Sequence, residues 1–485
     1  MPQPSTFQEA PSLQIYSAWI LALTVPCVIL FVAPMTFTRY STPKEAIAWV
    51  GMLLVIGLEA HSSSRNRLFW RLSTLFLVWG GCSLAWSRDP QRGALALHQC
   101  TFAVLWCACC VRQVKSLHLS SPQSLCSSLQ QVGCLWMWSG VTSGLVGLWQ
   151  AINTRGLSVY QVTGTIGNPN RLGGILLLCL PMAWWLWFAP SSKRIRGLGI
   201  LGGVCCVLSL LATRCQSALL CTCLVLLMLW IQHWFSHMRP LTQSLQKTKV
   251  IVRMLGTLLI IGLWLQLLGS HSPLRAALQN SLKGRLWIAE RSLETLEGQW
   301  LFGLGWGSYP QAIAWAQGNV LQRQAQPWTL LLDPHNQWLD IFCALGVVGV
   351  LLVFAILIVL GYELFHAQQH PSTQAALSAL CGAMLYACSE TPRLSVGFVM
   401  LCAGWVAVAL SPIKQRTTSE EDPPKKPRAE SQRLHLQKPV RFAETRWLLR
   451  FVVVGVGCWL ALRSVYSDFR FGQGLRAAST GTADG

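Results

Sequence analysis

The chain has 485 residues, of which 52% are hydrophobic and 12% charged, about half the ~25% charged share of a soluble domain. Its apolar runs approach the ~20 residues that a membrane-crossing helix needs, and continuous runs such as 175–189 and 347–360 exclude the alternation of barrel strands. The net charge of +20 lies largely in short loops and one tail and forms no recognition module. It therefore reads as topology charge and contact with membrane lipids, not as nucleic-acid binding.

The backbone must be satisfied inside lipid, so the apolar runs are predicted helices. In chain order they fall at 16–36, 45–60, 68–86, 94–111, 131–150, 171–189, 197–213, 217–233, 250–269, 338–361, 373–389, 394–411 and 447–463. The expected fold is all-α, a polytopic membrane bundle of about 12–13 transmembrane helices with one large extracytoplasmic loop. The first run has no basic segment before it and no small-residue cleavage site after it, so it reads as a span and not as a signal peptide. With the N-terminus inside, the inner segments hold twenty-two of the 38 Lys and Arg residues, in line with the positive-inside rule.

The expected divisions are 1–269 (spans one to nine), 270–337 (the outer loop), 338–411 (spans ten to twelve), 412–446 (a basic, Pro-containing linker) and 447–485 (one more span and a short tail). The nineteen cysteines lie mostly inside apolar runs and behave there as small hydrophobes. No C-x-x-C pair recurs at zinc spacing, and no D-x-D pair, Walker loop or dinucleotide fingerprint occurs. The expected site needs no metal and no cofactor.

The outer loop is polar and basic in an apolar chain, with Arg275, Lys283, Arg285, Arg291 and Arg323. Arginines kept on the outer side call for an anionic partner. Within the loop, Asp333-Pro334-His335-Asn336 places a histidine where the chain re-enters the membrane. Neutral imidazole takes a proton from a hydroxyl near physiological pH, with Asp333 or Asn336 to orient it. Taken alone, the commoner reading is a solvated loop histidine.

Residues 281–296 have helical spacing of apolar groups and read as a surface helix with Trp287 at the interface. Arg285, near its start, carries a planar fork suited to phosphate. The glycines of Gly303-Leu304-Gly305-Trp306-Gly307 allow a tight turn whose N–H groups could meet an anion. The bland alternative is a headgroup-binding helix followed by a glycine turn. Gly167-Asn168-Pro169-Asn170-Arg171 is a structured turn, with Asn170 expected to cap the next helix and Arg171 in the same layer as the loop. Arg214, in the turn after the seventh span, reads in isolation as a snorkelling arginine. Glu390 and Arg393 are expected to pair with each other.

Taken in order, Gly167-Asn168-Pro169-Asn170, the Thr213 turn, Arg285-x-Trp287, Gly303-Leu304-Gly305-Trp306-Gly307 and His335-Asn336 before Leu345-Gly346 resemble the O-antigen ligase and O-antigen polymerase superfamily. The similarity covers roughly residues 130–365. It implies an inverting, metal-independent glycosyltransferase in a bacterial inner membrane, with its active site on the periplasmic face. The implied donor is a glycan on polyprenyl pyrophosphate, and the implied acceptor is a lipid A-core sugar or another glycan. His335 would be the base, and Arg285 would hold the pyrophosphate. Arg214, Asn336, Asn168, Asn170, Arg171, Gly303 and Gly305 would line the substrate.

The chain departs from the family in two places. Where the family reads T-x-S-R-x-A, it has Thr213-Arg214-Cys215-Gln216-Ser217-Ala218, with the arginine two positions early. The run at 447–463 and the linker before it lie beyond the usual twelve spans. A branch linked to inorganic-carbon transport is similar around Asn-Pro-Asn, and the His335-Asn336 pair favours the glycosyltransferase. A polymerase of lipid-linked repeat units and a transporter or carbon-uptake accessory protein remain the alternatives.

Overall fold

The computed structural model describes residues 11–32, 42–58, 66–120, 122–153, 162–189, 192–237, 273–314, 333–366 and 371–410. The expected spans at 250–269 and 447–463 and the linker 412–446 lie outside the described residues. Among those described, every regular element is a helix. Six of them are long and apolar enough to cross a membrane, the pattern of a multi-pass membrane protein.

In chain order the helices are α1 (Pro11–Leu30), α2 (Thr42–Leu58), α3 (Arg67–Cys82), α4 (Pro90–Ser120), α5 (Pro122–Asn153), α6 (Pro169–Phe188), α7 (Lys193–Thr213), α8 (Gln216–His237), α9 (Pro273–Glu294), α10 (Gln337–His366), α11 (Pro371–Ala387) and α12 (Val396–Ala409). The expected loop at 112–130 is instead helical on both sides of Ser121. Its one strong breaker, Pro122, stands at the first position of α5, where a missing N–H costs nothing.

The bundle is built around α6, whose residues from Leu172 to Ala183 are all buried. A helix that is apolar on every face belongs in the centre. Small residues let its neighbours close in. A side chain at Gly173 would meet Ala218 and Cys215, and one at Gly174 would meet Tyr386 and Phe398. This draws α8, α11 and α12 against one end of α6, the packing mode expected where lipid removes any hydrophobic drive between helices.

α10 was expected as one continuous span, but it is broken. Gly346 has φ 65° and ψ −164° inside it. The carbonyls freed at the break accept from the glycine loop: Leu304 N–H donates to Cys343 O at 2.8 Å and Gly305 N–H to Ala344 O at 3.0 Å, while Val347 N–H donates back to Trp300 O at 2.9 Å. A Cβ at Gly303 would stand 2.5 Å from Gly346 N, so only glycine permits this approach. Trp306 is buried against Phe76 of α3 at a ring separation of 5.8 Å. Its backbone N–H donates to Ser83 Oγ at 3.2 Å. The glycine loop is thus a wedge between α3 and the two halves of α10.

Candidate functional site

The polar groups that the sequence scatters over more than 200 positions meet at one end of the bundle. The assembly begins with the turn before α6. Gln150 Oε1 accepts from the Thr163 and Gly164 N–H groups, each at 3.0 Å. Lys44 Nζ, buried, donates to Ile29 O at 2.7 Å and Thr165 O at 2.8 Å. Asn168 rather than Asn170 is the cap of α6: its Oδ1 accepts from the N–H groups of Asn170 at 2.9 Å and Arg171 at 3.1 Å. Asn168 has extended backbone, as a cap residue should.

That cap leaves the Asn170 side chain available. Its Nδ2 donates to Glu390 Oε1 at 2.8 Å, and Tyr386 Oη donates to the Asn170 carbonyl. The same Glu390 oxygen accepts from Arg285 Nη2 of α9 at 2.9 Å. Arg285 Nη1 reaches the His335 carbonyl at 3.4 Å, and Nη2 also reaches Ser217 Oγ at 3.4 Å. The Glu390 carbonyl accepts from Gln337 N–H, the start of α10, at 3.1 Å. One residue therefore ties α6, α9, α10 and α11 together.

The expected pairing of Glu390 with Arg393 is not what the structure shows. Arg393 instead grips Asp340 of α10 with two bonds, Nε to Oδ2 at 2.8 Å and Nη2 to Oδ1 at 3.2 Å. The short helix Pro392–Leu394 turns the two side chains toward different partners. Burial pushes the Glu390 carboxyl above its ordinary range, against the pull of the Arg285 guanidinium beside it. Arg393 is held above its usual value by Asp340, in spite of its burial.

His335 adopts φ 50°, uncommon outside glycine although His is among the residues that tolerate it best. Asp333 imposes that turn. Its Oδ1 accepts from His335 N–H at 2.9 Å and from Thr391 Oγ1 at 2.8 Å. His335 Nδ1 lies 3.6 Å from the same oxygen, with the ring about half exposed. The imidazole therefore stands at the mouth of the site, and Asp333 is the residue placed to orient it. Asn336 caps α10, its Oδ1 accepting from Trp338 N–H at 3.0 Å and Leu339 N–H at 3.1 Å.

The remaining expected site residues divide by location. The amides of Gly303 and Gly305 donate to the Gln299 and Ala344 carbonyls, so the fold itself uses them. Arg171 lines a small cleft with Lys44, Glu45 and Ser395, beside the Glu390 cluster. Arg214 takes the left-handed conformation that ends α7. It is exposed and makes no ion pair to another described residue. The Thr213 turn nevertheless reaches the site through Ser217. Local sequence reading leaves Thr391 without a role and does not link Asp333 or Glu390 to their partners Thr391 and Arg285. The only sequence signal for these links is position, in two polar turns flanking apolar runs.

Chemically, the site offers a half-exposed base oriented by a carboxylate, with a guanidinium held next to it. Around it α9 exposes Leu282, Leu286, Trp287 and Leu293, and Trp300, Leu301 and Phe302 follow. Such an exposed apolar face suits an element at a membrane interface. No protein-family model matches the chain, and no curated protein matches it.

Proposed function

We propose that the chain is a membrane-embedded, metal-independent, inverting glycosyltransferase of the O-antigen ligase type. It spans a bacterial inner membrane about twelve or thirteen times, with residues 270–337 on the periplasmic face. The observation that carries this reading is the meeting of Arg285 and His335, 50 positions apart and joined by a 3.4 Å contact between the guanidinium and the His335 carbonyl, at one end of an apolar bundle. An oriented base beside a fixed cation is what transfer from a polyprenyl pyrophosphate requires. The ordered resemblance to the superfamily supplies the substrate class.

In this reading the acceptor hydroxyl, on a lipid A-core sugar or another surface glycan, gives its proton to His335. Its oxygen forms a bond to the anomeric carbon as the bond from that carbon to the pyrophosphate oxygen breaks, and the configuration inverts. Nδ1 faces Asp333, so Nε2 is the nitrogen presented to the hydroxyl. Arg285 balances the charge that gathers on the departing pyrophosphate. The leaving group is already good, so a base and a fixed cation suffice without nucleotide or cofactor.

The test is the glycan profile of a deletion strain complemented with wild type or a His335 variant. A ligase leaves long lipid-linked chains and no surface glycan, restored only by wild type. Accumulated single repeat units identify a polymerase, the same chemistry with a different acceptor. Normal profiles in the deletion strain refute the proposal.

A further inference from the structure

Glu390 is an anion already seated at the cation that the proposed donor would use. Its carboxylate touches Arg285 at 2.9 Å and Asn170 at 2.8 Å through one oxygen. The Arg285 side chain is 28% exposed and that of Glu390 11%, so the guanidinium is reachable from outside while the carboxylate sits beneath it. Two elements hold the carboxylate, α6 through Asn170 and α9 through Arg285, while the Glu390 backbone is bonded to α10 and α11. The charged and titratable groups facing it are Arg285 from α9 and Asp333 and His335 from the segment before α10, with Cys215 and Tyr386 beside them.

A phosphoryl group arriving at Arg285 therefore meets a cation whose charge is already partly balanced, and a fixed negative charge lies close behind. Like charges at such range oppose binding, and the effect shows chiefly in how long the ligand stays.

We propose that Glu390 is a built-in counter-anion that exchanges with phosphoryl ligands at Arg285. It occupies the guanidinium when the site is empty, weakens the hold on a pyrophosphate group and reclaims the guanidinium as the anionic product departs. The inference rests on the reading of Arg285 as the pyrophosphate-binding residue. It adds that the site is built for release as much as for capture.

The experiment uses the full chain purified in neutral detergent, with inorganic pyrophosphate as the probe, and reads affinity and dissociation rate. Glu390→Gln keeps an oxygen for Asn170 but removes the charge. It is expected to bind pyrophosphate about tenfold more tightly than wild type, mostly through slower dissociation. Glu390→Asp keeps the charge and is expected to stay near wild type. Weaker binding by a folded Glu390→Gln protein would overturn the proposal and make Glu390 a residue that positions Arg285. Arg285→Ala separates the two levels of inference. If it binds pyrophosphate as well as wild type does, the assignment of Arg285 fails and the exchange fails with it. If it loses binding while Glu390→Gln does not tighten it, only the exchange fails.

Discussion

Replacing Gly346 with alanine tests the joint on which the glycine loop hangs. At φ 65° and ψ −164° the backbone occupies a region that is essentially glycine's alone, and a side chain there costs about 1–3 kcal/mol. The added Cβ would also stand 2.3 Å from Leu301 O and 2.6 Å from Gly303 N. Both are backbone atoms, so the loop must retreat as a unit. Retreat strains the bonds from Leu304, Gly305 and Val347 N–H, each worth about 1 kcal/mol net. The combined loss is about 4–6 kcal/mol, or a fall of roughly 4–6 °C in melting temperature for a chain of this length.

Gly361 lies on the same helix with nothing near its Cβ, so Gly361→Ala should be neutral or slightly stabilising, by up to about 1 kcal/mol. The assay is thermal unfolding of the detergent-solubilised protein. Maleimide labelling of Cys343, which is fully buried beside the loop, adds a local readout by mass spectrometry. Gly346→Ala should label Cys343 faster than wild type below the melting transition. Identical melting and labelling for Gly346→Ala and Gly361→Ala would refute the claim that the break depends on glycine.

Other consequences can be measured in the same preparations. His335→Asn should fold like wild type and transfer no glycan, because asparagine tolerates the left-handed backbone, whereas His335→Ala should melt lower by about 1–2 kcal/mol; equal melting of the two would show that the backbone there is unstrained. Arg285→Lys should lose at least about tenfold in transfer, since an ammonium cannot reproduce the planar fork; unchanged turnover would remove the arginine from the mechanism. Arg393→Ala should lower stability by about 3–5 kcal/mol, because it strands a buried Asp340, and adding Asp340→Asn should recover part of the loss.

A pH series tests the burial of Glu390. Its folded-state pKa lies above the unfolded value, so the native state takes up the proton first and gains stability as pH falls through that window. The melting advantage of Glu390→Gln over wild type should be present at pH 8 and shrink on acidification toward the ordinary carboxylate range. An advantage that grows with acid would reverse the sign of the argument.

The helices of the first half were legible because lipid permits little else. The predicted starts of α6, α7 and α8 fall within four residues of the observed ones, and Asn168 caps α6 through a local bond that sequence spacing encodes. Side-chain partnerships were not legible in the same way. Glu390 and Arg393 are three positions apart in one turn, a spacing that invites pairing, yet each is satisfied by a residue more than fifty positions away. The break at Gly346 was hidden for a related reason. Nothing in Leu345-Gly346-Val347 marks an interruption until a second segment arrives to bond the freed carbonyls. The amides of Gly303 and Gly305 looked like free donors only while that segment was considered alone.

The Glu390 cluster also sets a clock on the chain's own synthesis. Asn170 waits 220 residues and Arg285 waits 105 for the carboxylate that joins them. At the usual ~5–20 residues per second, the longer interval lasts about ten to forty seconds. Through that time the Asn170 side chain lacks this carboxylate, and over the last 105 residues so does Arg285 of α9. The emergence of residue 390 supplies the carboxylate that joins α6 to α9, so a chain stalled before it would hold Asn170 and Arg285 without the tie between them.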